Sequence, residues 1–410
     1  MPSATPNSSS PRIVLGVSGG IAAYKSVELV RLLRDEGFFV SPVLTVDATR
    51  FVGTVTFSAL ASEPARTSLY GDPSTPIPHT YLGQHADAIV VAPATAHLIA
   101  RYAAGLADDL LTATLLASRA PVLLCPAMHT EMWEQPAVQE NLATLRRRGV
   151  LVLEPEVGAL AGGDVGAGRM REPAEIADLV TRLVRGYSGP LSSRRILITA
   201  GGTREAIDPV RVISNRSSGR QGYALAEVAS RLGASVTLVS TVDLALALDV
   251  VRAIEVVKVR SASEMHDEVL SHLADVDVVI MAAAVADFTL KASSEKLKKD
   301  QGPPVLHFEP TVDIVTDLVA KRSTGQIIVG FAAETTDVEQ NAIKKLRAKG
   351  VDLLVVNDVS APRAGFEHLT NEVVILDRDE HAETVTLRSK EAISYEILAR
   401  VAALLPQGEP

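Results

Sequence analysis

Two segments of this chain begin alike, and only a few folds can hold both. RIVLGVSGGIAAYKSVELVRLLRDEGFFVSPVLT, from residue 12, reads as a β-branched strand, a Gly19-Gly20 turn, a helix, a Gly37 stop and a second strand. Leu29, Val30 and Leu33 share one face of that helix. The pattern restarts at RRILITAGGTREAIDPVRVISNRSSGRQGYALAEVASRLGASVTLVS, with Leu225, Val228, Ala229 and Leu232 at helical spacing and Gly233 as the stop. Each is the opening of a βαβ unit, so each half is expected to wind its own parallel sheet.

The remaining strand signals agree. Buried-strand runs occur at Ala88 to Ala92 and Val122 to Leu124 in the first half, and at Val278 to Ile280, Ile327 to Val329 and Leu353 to Val356 in the second. Aromatic residues make up only 4% of a chain that is 47% apolar, so its cores must be built mainly from Ala, Val, Leu and Ile, as in parallel sheets covered by helices. The expected class is α/β, with two Rossmann-like doubly wound domains. Arg185 to Ser193 has linker composition and sets the boundary near 190. Residues 1–11, rich in Ser and Pro, are expected to be a disordered tail. Residues 12–190 and 191–410 are the two domains.

Several function classes fall away. A formal charge of −9 disfavours a general nucleic-acid surface. One cysteine, Cys125, excludes an intrachain disulfide and a thiolate zinc set, which points to a reducing, cytoplasmic setting. The most apolar window, Ala86 to Ala100, contains Asp87, Pro93 and His97, so no membrane span is expected. Neither Gly turn fits G-x-G-x-x-G or the P-loop pattern. The first turn, Ser18-Gly19-Gly20, opens directly into a helix and can present N–H groups to a phosphate. In the second half about twenty residues separate Gly201-Gly202 from the helix near Gly222, and open α/β sheets place ligands at such strand ends.

Longer motifs narrow the choice. His79, ADAIVVAPATAHLIARYAAGLADDLLT, PAMHTEMW and AGGDVGAGRM follow one another in the order seen in flavin-dependent cysteine decarboxylases, which the first half resembles. From about residue 12 to 400 the chain resembles the bacterial bifunctional phosphopantothenoylcysteine decarboxylase/phosphopantothenate–cysteine ligases of coenzyme A synthesis. The resemblance implies a flavodoxin-like FMN decarboxylase domain followed by a nucleotide-binding ligase domain. FMN contacts are implied at Gly19, Gly20, Ile21, Thr45, Ala94, Thr95 and Ala96, and substrate contacts at Met128, His129, Met132, Arg169 and Met170. His79 corresponds to the catalytic base, a role suited to an imidazole. The implied chemistry oxidises the cysteinyl thiol unit towards a thioaldehyde, releases CO₂ and returns the hydride.

Three positions depart from that family: His97 and His129 stand where Asn is usual, and Gly162 where the flap carries its proton-donating Cys. Three accounts stay open. A neighbouring acid or water protonates the intermediate, His129 has taken a changed role, or the domain binds flavin or scaffolds an active ligase without turning over. A decarboxylase acting on another acid, such as a peptide C-terminal cysteine, is a further alternative, against which the attached ligase argues. Cys125, ending an apolar strand, reads as a buried structural thiol. Retention of His79, the flavin turn and the GDVGAGRM flap favours a working decarboxylase.

In the second half, ITAGGTREAIDPVRVISNRSSGRQG is rich in anion-binding groups and matches the ligase signature. The resemblance implies ligase-substrate contacts at Arg211, Asn215, Ser217 and Ser218, with Asn215 catalytic. Implied CTP contacts are Ala282, Ala283, Ala284, Asp287, Lys296, Val312, Asp313, Ile314, Val315, Phe331, Lys345 and Lys349. Lys296 opens the pattern that continues through Lys298 and Lys299, and is the implied catalytic lysine. Mg²⁺ is implied as cofactor, with no metal ligands identified. The implied assembly is a homo-oligomer, with trimeric decarboxylase contacts and dimeric ligase contacts, and the implied partners are phosphopantothenate, cysteine and CTP.

Overall fold

Unbroken runs of Val, Ile, Leu and Ala leave a strand no solvent face, and the first-half strands accordingly form a parallel sheet. They are β1 (Arg12–Val17), β2 (Phe39–Leu44), β3 (Ala88–Ala94), β4 (Val122–Pro126) and β5 (Leu151–Val152), in spatial order β2-β1-β3-β4-β5. A separate antiparallel hairpin, β6 (Glu156–Ala159) and β7 (Val165–Arg169), follows. The structure, a computed structural model, describes residues 10–70, 75–298, 304–334, 338–358 and 370–406. Residues 1–9 of the expected tail and Lys299 lie outside them. The chain divides into two compact units, Met1–Arg185 and Gly186–Pro410.

In the first unit the helix Lys25–Asp35 buries Leu29, Val30 and Leu33, the face set by its apolar spacing. Gly37 follows with φ +79°, a left-handed stop that glycine adopts without a Cβ penalty. The order 2-1-3-4-5 reverses direction between β1 and β3. The mouth of a doubly wound sheet lies at that reversal, outside the C-terminal strand ends.

The second unit contains β8 (Arg195–Ala200), the hairpin β9 (Arg204–Ala206) and β10 (Val212–Ser214), β11 (Ser235–Ser240), β12 (Ile254–Lys258) and β13 (Val278–Met281). It continues through β14 (Phe288–Leu290), β15 (Phe308–Pro310), β16 (Ile327–Glu334), β17 (Leu353–Asp358), β18 (Thr370–Asp377) and β19 (Ala382–Ser389). The main sheet runs β12-β11-β8-β13-β16-β17-β18-β19. The first six are parallel and read 3-2-1-4-5-6 in chain order, and β18 and β19 extend the edge antiparallel. Both faces are covered: Ile196 and Ile198 of β8 pack into one core and Leu197 into the other. Here the order reverses between β8 and β13. Among the described residues, no helix is long and apolar enough to cross a membrane.

Candidate active sites

At the first reversal, β1 ends in Ser18-Gly19-Gly20 and β3 in Ala94-Thr95-Ala96. Ser18 ties the two turns: its Oγ donates to the Pro93 carbonyl at 2.7 Å and accepts from the Thr95 N–H at 3.0 Å. Gly19 lies so close to the Thr45–Asp47 loop that an added Cβ would stand 2.4 Å from Asp47 Cβ. An added Cβ on Gly20 would meet only Thr95 Cγ2, at 3.5 Å. These turns floor a cavity of about 860 Å³, the size of a cofactor site.

That cavity gathers Gly19, Gly20, Ile21, Thr45, Thr95 and Ala96 with Met128, His129, Met132, Arg169 and Met170. The bare glycines, the helical turn Ile21–Tyr24 running into Lys25–Asp35, and the largely apolar walls fit a flavin mononucleotide. Backbone N–H groups would hold its phosphate. The cavity's cations are already engaged: Lys25 pairs with Glu172 and donates to the Met170 carbonyl, Arg169 pairs with Glu172, and Arg101 pairs with Asp108 and Asp109. Ser18, Lys25, Arg101 and Asp109 lie within the quoted segments but carry no expected contact there; their place in the wall follows from what the fold brings near.

Two expected residues stand outside this lining. Ala94 is fully buried, and it is its carbonyl that accepts from the Ala127 N–H, so its side chain offers a ligand nothing. His79 begins the helix Pro78–His85 but is not among the cavity residues, and its buried Nδ1 has no partner among the described residues. Cys125 is buried within β4, and burial pushes its thiol far above the usual range, which removes it as a proton donor.

The hairpin β6–β7 lies on the PAMHTEMW segment. The Met128 N–H donates to the Gly168 carbonyl at 3.0 Å. Glycine is required there: Gly168 has φ +148°, and its added Cβ would stand 2.0 Å from the Met128 carbonyl oxygen. This docking brings the hairpin tip, Gly162, over His129.

At the second reversal, the Gly201–Asn215 loop is fastened to the Ala282–Ala284 turn. The Ala284 N–H donates to the Gly201 carbonyl at 2.8 Å, the Ala283 N–H to Thr199 Oγ1 at 3.0 Å, and Asn215 Nδ2 to the Val285 carbonyl at 3.0 Å. Gly201 has φ +89°, with Thr241 Oγ1 2.2 Å from where its Cβ would be. A small pocket at the mouth of the helix Arg220–Arg231 is lined by Ser217, Ser218, Ala282 and Phe331, as expected, and also by Gln221, Asn357, Asn371 and Lys390. Lys390 is buried, and desolvation together with the Arg220 charge lowers its ammonium to about 8.

The other expected nucleotide residues are spread along this edge. Asp313 caps the helix Ile314–Lys321 and pairs with Lys349, while Lys345 is exposed on the same helix as Lys349. Asp287 and Val312 are exposed. Ile314 is a core side chain and Val315 packs beside it, so ligand contact there is restricted to backbone. Lys296 is exposed and lies outside the pocket lining. Its neighbour Leu297 is held by the Asp208–Arg211 turn: the Leu297 N–H donates to Asp208 Oδ2 at 3.1 Å, and Arg211 Nη2 to the Leu297 carbonyl at 2.8 Å. The Arg211 hydrogen bond holds the Asp208 carboxyl well below the usual range, so that anchor stays ionised.

Residues 2–185 match the family described as Flavoprotein, and residues 191–405 the family described as DNA/pantothenate metabolism flavoprotein C-terminal domain. The chain is 47% identical over 408 residues to the Coenzyme A biosynthesis bifunctional protein CoaBC of Mycobacterium tuberculosis, covering 96% of this chain and 97% of that one. It is 46% identical over 400 residues to the protein of the same description from Bacillus subtilis, with coverages of 96% and 97%. Among solved structures, the C-terminal domain of a coenzyme A biosynthesis bifunctional protein is 40% identical, with 53% of this chain and 97% of that chain covered and a TM-score of 0.45.

Proposed function

The chain belongs to the family of bifunctional coenzyme A biosynthesis enzymes, which join a decarboxylase to a ligase, and from that premise we propose which residues carry each reaction. The observation supporting the assignment is that the first unit's motif residues, His79 and Ala94 excepted, line the cavity at its sheet reversal, while Ser217, Ser218, Ala282 and Phe331 line the pocket at the second.

In the ligase unit, CTP activates the phosphopantothenate carboxylate. The carboxylate attacks the α-phosphate, pyrophosphate leaves, and the acyl-cytidylate yields to the cysteine amine with release of CMP. A carboxylate is a poor electrophile, and the nucleotide supplies its leaving group. Lys296, with Lys345 and Lys349, neutralises charge near the polyphosphate during the first step, to which a bound Mg²⁺ would add. Asn215 orients the intermediate, and Arg211, Ser217 and Ser218 hold the acid. Ala282 to Ala284, Asp287, Phe331 and the backbone of Val312 to Val315 receive the nucleoside.

In the decarboxylase unit, FMN supplies reversible hydride chemistry at the cysteinyl carbon–sulfur unit. The Gly19–Ile21 turn would hold its phosphate, and Thr45, Thr95 and Ala96 would flank the remainder. Met128, Met132, Arg169 and Met170 enclose the substrate and exclude water. His79 is the base. Since it stands apart from the cavity of its own chain, its role is read together with the implied homo-oligomer, in which flavin sits at subunit contacts. The enzyme acts in the cytoplasm.

The test supplies phosphopantothenate, cysteine, CTP and Mg²⁺ to the purified chain and follows pyrophosphate, CMP and the thiol product. Equal amounts of the three are expected. Lys296→Gln should abolish pyrophosphate release, and undiminished release would overturn the assignment of Lys296.

A further inference from the structure

The proton that family members deliver from a flap thiol must come from elsewhere in this chain, because Gly162 has no side chain and Cys125 is sealed within β4. At Gly162, an ideal Cβ would stand 3.3 Å from His129 Nε2 and 3.7 Å from Asp164 Oδ2. The imidazole therefore occupies the space that a side chain at 162 would enter. Both residues line the flavin cavity.

We propose that His129, as imidazolium, is the catalytic acid of the decarboxylase, protonating the carbon that has lost CO₂. Its surroundings hold it in that form. Nδ1 is bonded to Glu131 and Nε2 lies 3.1 Å from Asp164 Oδ2. The Glu131 hydrogen bond, followed by that to Asp164, raises the ring above the ordinary histidine value. The other charged groups around the cavity do not oppose this: Lys25 and Arg169 are paired with Glu172, and Arg101 with Asp108 and Asp109, while Asp47 and His97 complete the wall. The hairpin glycines let Asp164 approach, because side chains at 166 and 168 would collide with Thr130 and Met128.

The step balances. After CO₂ leaves, the substrate is an enethiolate. The Nε2–H bond breaks, a C–H bond forms at the decarboxylated carbon, and the N–H electron pair stays on the ring. The enethiolate becomes a thioaldehyde and the imidazolium a neutral imidazole, which solvent reprotonates. The hydride removed from the thiol-bearing carbon at the outset returns to that carbon, so no external oxidant or reductant is consumed.

The inference rests on the decarboxylase reading, and the test separates the two. In the full-length FMN-loaded chain, His129→Asn should still release CO₂ but form saturated thiol at least about 100-fold more slowly, the scale of general-acid catalysis, with an ultraviolet-absorbing enethiol accumulating. Adding Gly162→Cys to His129→Asn should restore saturated thiol. Without flavin, the His129 ring followed by NMR should titrate above the ordinary value of about 6.5, and Asp164→Asn should lower it. Saturated thiol formed by His129→Asn within about threefold of the parent rate would overturn the proposal, as would an ordinary or lower titration midpoint. Absence of CO₂ from the parent would instead overturn the decarboxylase reading itself.

Discussion

At the scale of single residues, the fold selects side chains that no local motif marks. Lys390 is the clearest case. It opens the helix Lys390–Leu404, is buried beside Arg220, and is lowered to about 8. An unfolded lysine titrates near about 10.4. Between those values the unfolded chain binds more protons than the folded one, so this residue's contribution to stability rises with pH. Measured by urea unfolding, the parent should gain stability relative to Lys390→Met from about pH 8 to about pH 10. A constant difference would contradict that reading. Asn357 and Asn371 escaped the sequence for the same reason. They bond to each other at 2.9 Å across adjacent strands, a meeting that depends on pairing 14 residues apart. His129 was visible as a departure from a motif, but its contacts with Glu131 and Asp164 required the hairpin to be in place.

At the scale of elements, periodicity carried most of the architecture. Helical spacing in Lys25–Asp35 and Arg220–Arg231, and unbroken β-branched runs in β3, β13 and β16, marked the interior of both sheets because burial dictates their composition. The hairpins β6–β7, β9–β10 and β14–β15 were not legible. Their strands are only three to five residues long and largely exposed, so no apolar alternation marks them. Two of these hairpins nevertheless bear on the sites, since β6–β7 brings Asp164 to His129 and the β9–β10 connection holds Leu297. Elements at the sheet reversal are joined by few polar contacts, and Ser18 provides two of them. Ser18→Ala would leave the partly buried Thr95 N–H without this acceptor, while the Pro93 carbonyl keeps the Ser18 backbone N–H at 3.3 Å, at a cost of about 1–3 kcal/mol. It should therefore lower both the melting temperature and the flavin affinity. Unchanged values for both would show that the two turns are held by something other than Ser18.

At the scale of the whole molecule, a restarted sheet explains why one chain carries two reactions. Each unit supplies its own reversal, its own glycine turns and its own core, and the ligase product is the decarboxylase substrate. A charge of −9 gives an acidic chain no attractive overall field for phosphorylated substrates, so the proposed sites depend on local N–H groups and placed cations. The relatives matched along nearly the full length carry both activities in one chain, and the glycine at 162 makes turnover of the decarboxylase the property that most needs measuring. The most direct measurement is carbon balance in the full-length chain with FMN: phosphopantothenoylcysteine labelled in its cysteinyl carboxylate, with CO₂ and thiol product quantified for the parent and for His79→Asn. One CO₂ per phosphopantetheine from the parent, and at least about a 100-fold loss in His79→Asn with flavin retained, is the predicted result. Unconsumed phosphopantothenoylcysteine with no CO₂ from the flavin-loaded parent would contradict it.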